Sequence, residues 1–275
     1  MIKQLKIEFF KIAHYSSFWI ILTIFSSIFV ITALIVGKLG YQINFLTDVN
    51  SMDFSKYLKF PNIWQTYVWL GGWFSYLWGL LIILLVGNEL TNKMLKQQIL
   101  WGIKRKELFL SKILVLLILP FILIIIITFL VLIYGFKNTP DADFNLIIKS
   151  SSSLIFYYIQ AIATMSLALV FAFLVNSSAL SILLFFAYIF FEGIFRLLIK
   201  SQFGLNFVNY LPLKAINSLT PRPSLEIALS PILQQQLQIQ DAAMNQTWLS
   251  VSIAVLYIAI FWLIIYRIIM KRDFK

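Results

Sequence analysis

Six stretches of this chain stay apolar for about 20 residues apiece, near 18–36, 63–86, 113–136, 150–175, 179–199 and 248–266. The hydrocarbon core of a bilayer is roughly 30 Å thick, and a helix crosses it in about 20 residues. No water reaches that core, so each backbone N–H and C=O has to be satisfied within the segment, which makes such a run a helix. The chain is therefore expected to be an all-α polytopic membrane protein with six transmembrane helices. Composition agrees. The chain is 61% hydrophobic and 12% charged, whereas ordinary soluble domains are about 25% charged. A soluble globular enzyme, a disordered tail and a nucleic-acid-binding module are excluded. The net charge of +11 is read as charge that orients the chain in a membrane, not as a footprint for nucleic acid. There is no cysteine, which removes disulfides, thiolate metal sites and Cys nucleophiles. The first apolar run, Phe18 to Val36, is long enough to span, and its exit Val36-Gly37-Lys38 lacks a small-x-small cleavage pattern. It is read as a retained helix rather than a signal peptide.

An even number of spans puts both termini on one side. If that side is the cytoplasm, 13 of the 22 Lys and Arg residues fall in 55 positions: 1–17, 87–112, 176–178 and 267–275. The remaining nine are spread over 91 positions. The excess of basic residues inside favours cytoplasmic termini. Before the first span, Ile2, Leu5, Phe9 and Ile12 recur at helical spacing, with Lys3, Lys6 and Lys11 off that stripe. Residues 1–17 are expected to form an amphipathic helix at the interface, its lysines toward lipid headgroups. Residues 200–247 hold Pro212, Pro221, Pro223, Pro231 and Gln234-Gln235-Gln236. Their apolar pieces are too short to span, and the segment is read as an extracytoplasmic loop or a re-entrant one. No soluble domain separates, so 1–275 is one membrane domain.

The polar stretch 87–112 carries the most pattern. Leu95, Ile99 and Leu100 suggest an apolar face beside Lys96 and Gln97, and Gly102 marks a helix stop. The next helix restarts at Arg105 to Leu108, with Lys112 at its membrane entry. Such a short helix between two spans is either a docking element for a soluble partner or a solvated basic loop. Glu192 and Arg196 stand four apart near the outer end of the fifth span. They are expected to pair, as a polar point on a substrate path, an outer gate, or a structural ion pair. The second span is rich in aromatics. Trp64 and Tyr67 are expected at an interface. Trp73 and Trp78 lie deeper, and either pack or line a surface for an amphiphilic substrate. Ala161, Ala168 and Ala172 share a face of the fourth span near Ser166, which suits close helix packing. Pro120 is expected to kink the third span. His14 is the single histidine and is read as interfacial. No catalytic cluster or metal site is visible.

The stretch through Glu89, Lys96, Gln97, Gln98, Gly102, Arg105, Glu107, Leu108 and Lys112 resembles the cytoplasmic loop of ABC-2 type transporter permeases, the membrane subunits of many bacterial ABC exporters. In that family a Glu follows the second span, then an amphipathic coupling helix, a Gly-x-x-Arg turn, and a Lys at the third span. The basic start Lys3 to Lys11, Tyr210-Leu211-Pro212 before the last span and the ending Lys271-Arg272-Asp273 are similar too. The cluster Lys104-Arg105-Lys106 is more basic than the family's usual turn.

The resemblance implies a cytoplasmic coupling helix between the second and third spans, and a bacterial cytoplasmic membrane location. It implies a second permease copy or paralogue and a separate ABC ATPase subunit. ATP and Mg would be bound by that subunit, and no cofactor by this chain, which has no G-x-x-x-x-G-K-[ST]. Glu89, Lys96, Gln97, Gln98, Gly102, Arg105, Glu107 and Lys112 would couple to the ATPase, with Glu89 a strut that accepts hydrogen bonds or pairs with a base such as Lys93 at i+4. Trp73, Trp78, Glu192 and Arg196 would belong to the substrate path or gate. The competing reading is a stand-alone secondary transporter or channel, which needs ionisable groups at mid-membrane; apart from Glu192 the spans hold almost none. Nothing in the sequence specifies a substrate.

Overall fold

A computed structural model describes residues 10–46, 54–175, 177–202, 208, 210–223 and 243–271. These are helical, with no strand among the described residues. Residues 10–14 form a short helical piece. Then follow α1 (Ser16–Leu46), a 3-10 turn (Phe54–Leu58), α2 (Asn62–Thr91) and α3 (Met94–Leu100). Next come α4 (Arg105–Ile118), α5 (Pro120–Asn138), α6 (Phe144–Ile148), α7 (Ser153–Leu174), α8 (Ser178–Gln202), α9 (Pro212–Asn217) and α10 (Ala243–Lys271). Among the described residues, six helical segments are long and apolar enough to cross a membrane: Phe18–Lys38, Asn62–Thr91, Arg105–Asn138, Phe144–Leu174, Ser178–Leu198 and Trp248–Lys271. The helices overrun the apolar runs, α1 reaching Leu46 and α10 starting at Ala243. Apolarity reports the hydrocarbon thickness, whereas hydrogen bonding carries a helix on past it.

The centre of the bundle is α2 against α7, its most extensive helix contact. Small residues permit it. Ala161, Ala168 and Ala172 of α7 are fully buried. Across from them, a Cβ on Gly79 would sit 2.8 Å from the Phe185 ring and 3.2 Å from the Ala168 Cβ. Without a hydrophobic drive between helices in lipid, such close approach supplies the packing energy. Hydrogen bonds add to it. Trp78 Nε1 donates to the Tyr157 hydroxyl at 3.0 Å, and Trp262 Nε1 donates to Ser166 Oγ at 2.9 Å. The outer spans α1, α8 and α10 keep most of their surface outside the bundle.

Several expectations need correction. Trp64 and Tyr67 are not interface anchors but buried side chains. Trp64 Nε1 donates to the Ile147 carbonyl at 2.7 Å, and the Tyr67 hydroxyl to the Ala33 carbonyl at 3.3 Å. Their polar tips find protein partners, so they need no headgroups. The expectation for Pro120 holds: it interrupts the third span between α4 and α5, because its nitrogen has no proton for the helical ladder. Beside the break, the Tyr158 hydroxyl donates to the Leu117 carbonyl at 2.8 Å. Of the apolar stripe proposed for residues 1–17, Ile12 is described and buried; Ile2, Leu5 and Phe9 lie outside the described residues, as do most of 224–247 and the Arg272-Asp273 ending.

Candidate functional site

The polar segment after α2 is built by two left-handed turns. At the first, Lys93 takes φ 55, its N–H bonded to the Leu90 carbonyl at 3.1 Å. At the second, Gly102 takes φ 88. Its N–H bonds the Ile99 carbonyl at 3.0 Å, and the Ile103 N–H bonds the Gln98 carbonyl at 3.1 Å. That pair of bonds is the Schellman stop, which satisfies the last carbonyls of a helix and favours glycine at the left-handed position. The chain then enters α4, where the Glu107 carboxylate accepts the Lys104 backbone N–H at 3.3 Å. This satisfies one of the donors left open at a helix start.

Between the two turns, α3 buries Leu95 and Gln98 and leaves Gln97 exposed and Lys96 partly covered. Leu100 does not join the buried face. It is 73% exposed, beside Trp101 at 80%. The physical reason is rotation: five residues after Leu95, a helix has turned to a position about 140° away. Two large apolar side chains thus project from the turn. Exposed Lys93, Lys104 and Lys106 belong to the same stretch.

Behind the turn lies a buried charge cluster. Glu89 Oε2 stands 2.6 Å from Lys112 Nζ, and Glu89 Oε1 stands 3.6 Å from Lys11 Nζ. The expected Glu89–Lys93 pair does not form. The helix ends at Thr91, so Lys93 has left the i+4 position and is exposed. Lys11 faces Glu89 rather than headgroups. Asn88 Nδ2 donates to the Tyr15 hydroxyl. A cleft of about 190 Å³ opens here, lined by Lys11, His14, Asn88, Glu89, Asn92 and Lys112 among others. Arg105 Nη1 donates to the Met270 carbonyl, in the last turn of α10, where a cation meets the negative end of the helix dipole. The residues from 10–14, α2, α4 and α10 are thereby joined around the α3 turn. Tyr15, Asn88 and Met270 were not identified from the sequence; their signal is purely tertiary.

At the opposite end of the bundle, Glu192 and Arg196 are 3.2 Å apart, as their spacing suggests. The carboxylate has a further task. Its oxygens accept the Leu213 N–H at 3.1 Å and the Lys214 N–H at 3.2 Å. Glu192 therefore caps α9, a helix whose Pro212 start leaves its first N–H groups without intrahelical partners. Leu213, Ala215 and Ile216 of α9 are buried. Trp73 and Trp78 separate: Trp78 is interior and bonded to Tyr157, while Trp73 is 64% exposed. Only Trp73 of the two is placed to meet a molecule outside the bundle.

Compared with known families, residues 4–192 match the model described as an ABC-2 family transporter protein. A search of curated proteins finds no match to the chain.

Proposed function

The chain belongs to the ABC-2 family of transporter proteins, and from that premise we propose that it is the permease of an ATP-driven exporter whose ATPase is a separate subunit. Two permeases and two ATPases would make the working unit, in a bacterial cytoplasmic membrane with both termini in the cytoplasm. ATP and Mg²⁺ would be held by the ATPase. The observation that carries this reading is the turn around α3. Leu100 and Trp101 stand exposed at a polar loop, and a bulky aromatic set among lysines is suited to a groove on a soluble partner. Helix α3 is the coupling element, with Lys96 and Gln97 on its outer side. Gln98 and Gly102 fix its pose. Glu89, Lys112, Arg105 and Glu107 tie it to α2, α4 and α10. A push on α3 from closing ATPase subunits is then delivered to the spans and alternates access to the path.

The test is association with the ATPase subunit. Replacing Leu100 and Trp101 together by alanine removes exposed groups, so membrane insertion and fold are retained. Affinity for the ATPase should fall by about tenfold or more, and ATP-dependent transport with it. A chain that transports at full rate in purified vesicles without any ATPase overturns the proposal.

A further inference from the structure

A second cleft, of about 170 Å³, lies at the end of the bundle away from the α3 turn. Its walls are Trp69, Gly72, Trp73, Tyr76, Gln160, Asn217 and Thr220, supplied by α2, α7, α9 and the residues just after α9. The floor is a connected set of neutral polar groups. Thr220 Oγ1 donates to Gln160 Oε1. Gln160 Nε2 donates to Asn217 Oδ1 at 3.3 Å and to the Gly72 carbonyl at 3.4 Å. Asn217 Nδ2 donates to the Tyr76 hydroxyl at 2.6 Å. Gln160 and Thr220 are 1% and 5% exposed. The Tyr76 oxygen accepts in this chain, which leaves its own proton available to a ligand. At Gly72 the missing side chain opens the floor, since a Cβ there would come within 3.1 Å of the Gln160 amide. The rim holds Trp69 and Trp73, whose rings meet edge to face with centroids 6.4 Å apart. Trp73 leaves most of its surface open.

We propose that this cleft binds the neutral sugar head of an amphiphile, such as an alkyl glycoside or a glycolipid. None of its lining residues carries a charge. The charges that reach Tyr76, Glu192 and Arg196, are paired with each other at 3.2 Å, and the carboxylate also caps α9. A charged headgroup would have to compete with that pair and give up its water. A neutral polyol loses less, and its hydroxyls exchange water for amide and hydroxyl partners that both donate and accept. The C–H face of a pyranose ring matches the apolar face of an indole. The volume is below the roughly 300–1,000 Å³ that encloses a whole drug-sized ligand, so the cleft takes one ring and leaves an apolar tail to the surroundings of Trp73. As a station on a transport route this site rests on the permease reading above. Binding itself does not, and is measured on the chain with no ATPase present.

The experiment uses the full chain in nanodiscs of phosphatidylethanolamine and phosphatidylglycerol, with octyl β-glucoside carrying a photoreactive diazirine in its chain. Labelling should saturate, map to the peptide containing Trp69 to Tyr76, and be competed by unlabelled octyl glucoside but not by octyltrimethylammonium or octanol. Trp73→Ala should weaken the apparent affinity about tenfold, as expected for losing one stacked aromatic, with Trp73→Phe in between and helical circular dichroism unchanged. Labelling that does not saturate, that octyltrimethylammonium competes equally, or that Trp73→Ala leaves intact overturns the proposal.

Discussion

Glu89 of α2 and Lys112 of α4 form a 2.6 Å ion pair in which the lysine side chain is 3% exposed. Twenty-two residues separate them in the chain, and all of α3 lies in that interval. The pair closes the loop that presents α3. Removing one member breaks a buried pair, a change that typically costs about 3–5 kcal/mol, and Lys11, at 3.6 Å from Glu89, offsets only part of it. Glu89→Ala and Lys112→Ala should therefore each lower the thermal unfolding midpoint in detergent substantially. The joint change Glu89→Leu with Lys112→Met should recover much of the loss, and a double-mutant cycle measures the coupling.

The two left-handed residues around α3 should respond in opposite directions. Gly102→Ala forces a Cβ into a conformation that costs about 1–2 kcal/mol and should destabilise the protein, although nothing lies within 4 Å of that Cβ. Lys93→Gly removes the same strain and should be neutral or stabilising by up to about 1 kcal/mol, less the entropy gained by the unfolded chain. Denaturation in the same detergent checks both signs.

At Gly79 the limit is space. A valine would drive its side chain against Phe185 and Ala168, and overpacking of this kind costs about 1–3 kcal/mol. Gly79→Val should separate α2 from α7 and reduce the yield of folded protein. Cysteine pairs placed across that contact should cross-link more slowly.

Trp78→Phe should separate packing from a role in the substrate path. The substitution deprives the buried Tyr157 hydroxyl of its donor, a loss of about 1 kcal/mol in stability by the range seen for hydrogen bonds between membrane helices. Since Trp78 is enclosed, substrate affinity should not change. A shift in affinity with unchanged stability would place Trp78 on the path.

The spans were legible because a bilayer imposes one length on every helix and the chain repeats that length six times. Glu192 and Arg196 were legible for a related reason: their partnership is local, four residues along one helix. The capping of α9 by Glu192 was not, since it needs Leu213 and Lys214 to be brought back from beyond the fifth span. The same holds for Glu89. Helical spacing suggested Lys93, but α2 stops at Thr91, and a partner far along the chain takes the charge. Leu100 was misassigned for want of an angle, because its distance from Leu95 in sequence matches neither three nor four residues. The floor formed by Gln160, Asn217 and Thr220 draws on separate elements, and each residue alone looks like an ordinary polar side chain.

The Arg105–Met270 hydrogen bond has a mechanical meaning. It fastens the beginning of α4 to the close of α10, so the last helix is clasped to the middle of the chain at the end where α3 protrudes. On the coupling role proposed above, a force on α3 would have two arms to act through, one by way of Glu89 and Lys112, the other by way of this clasp. The final turn of α10 is thus a latch rather than a tail.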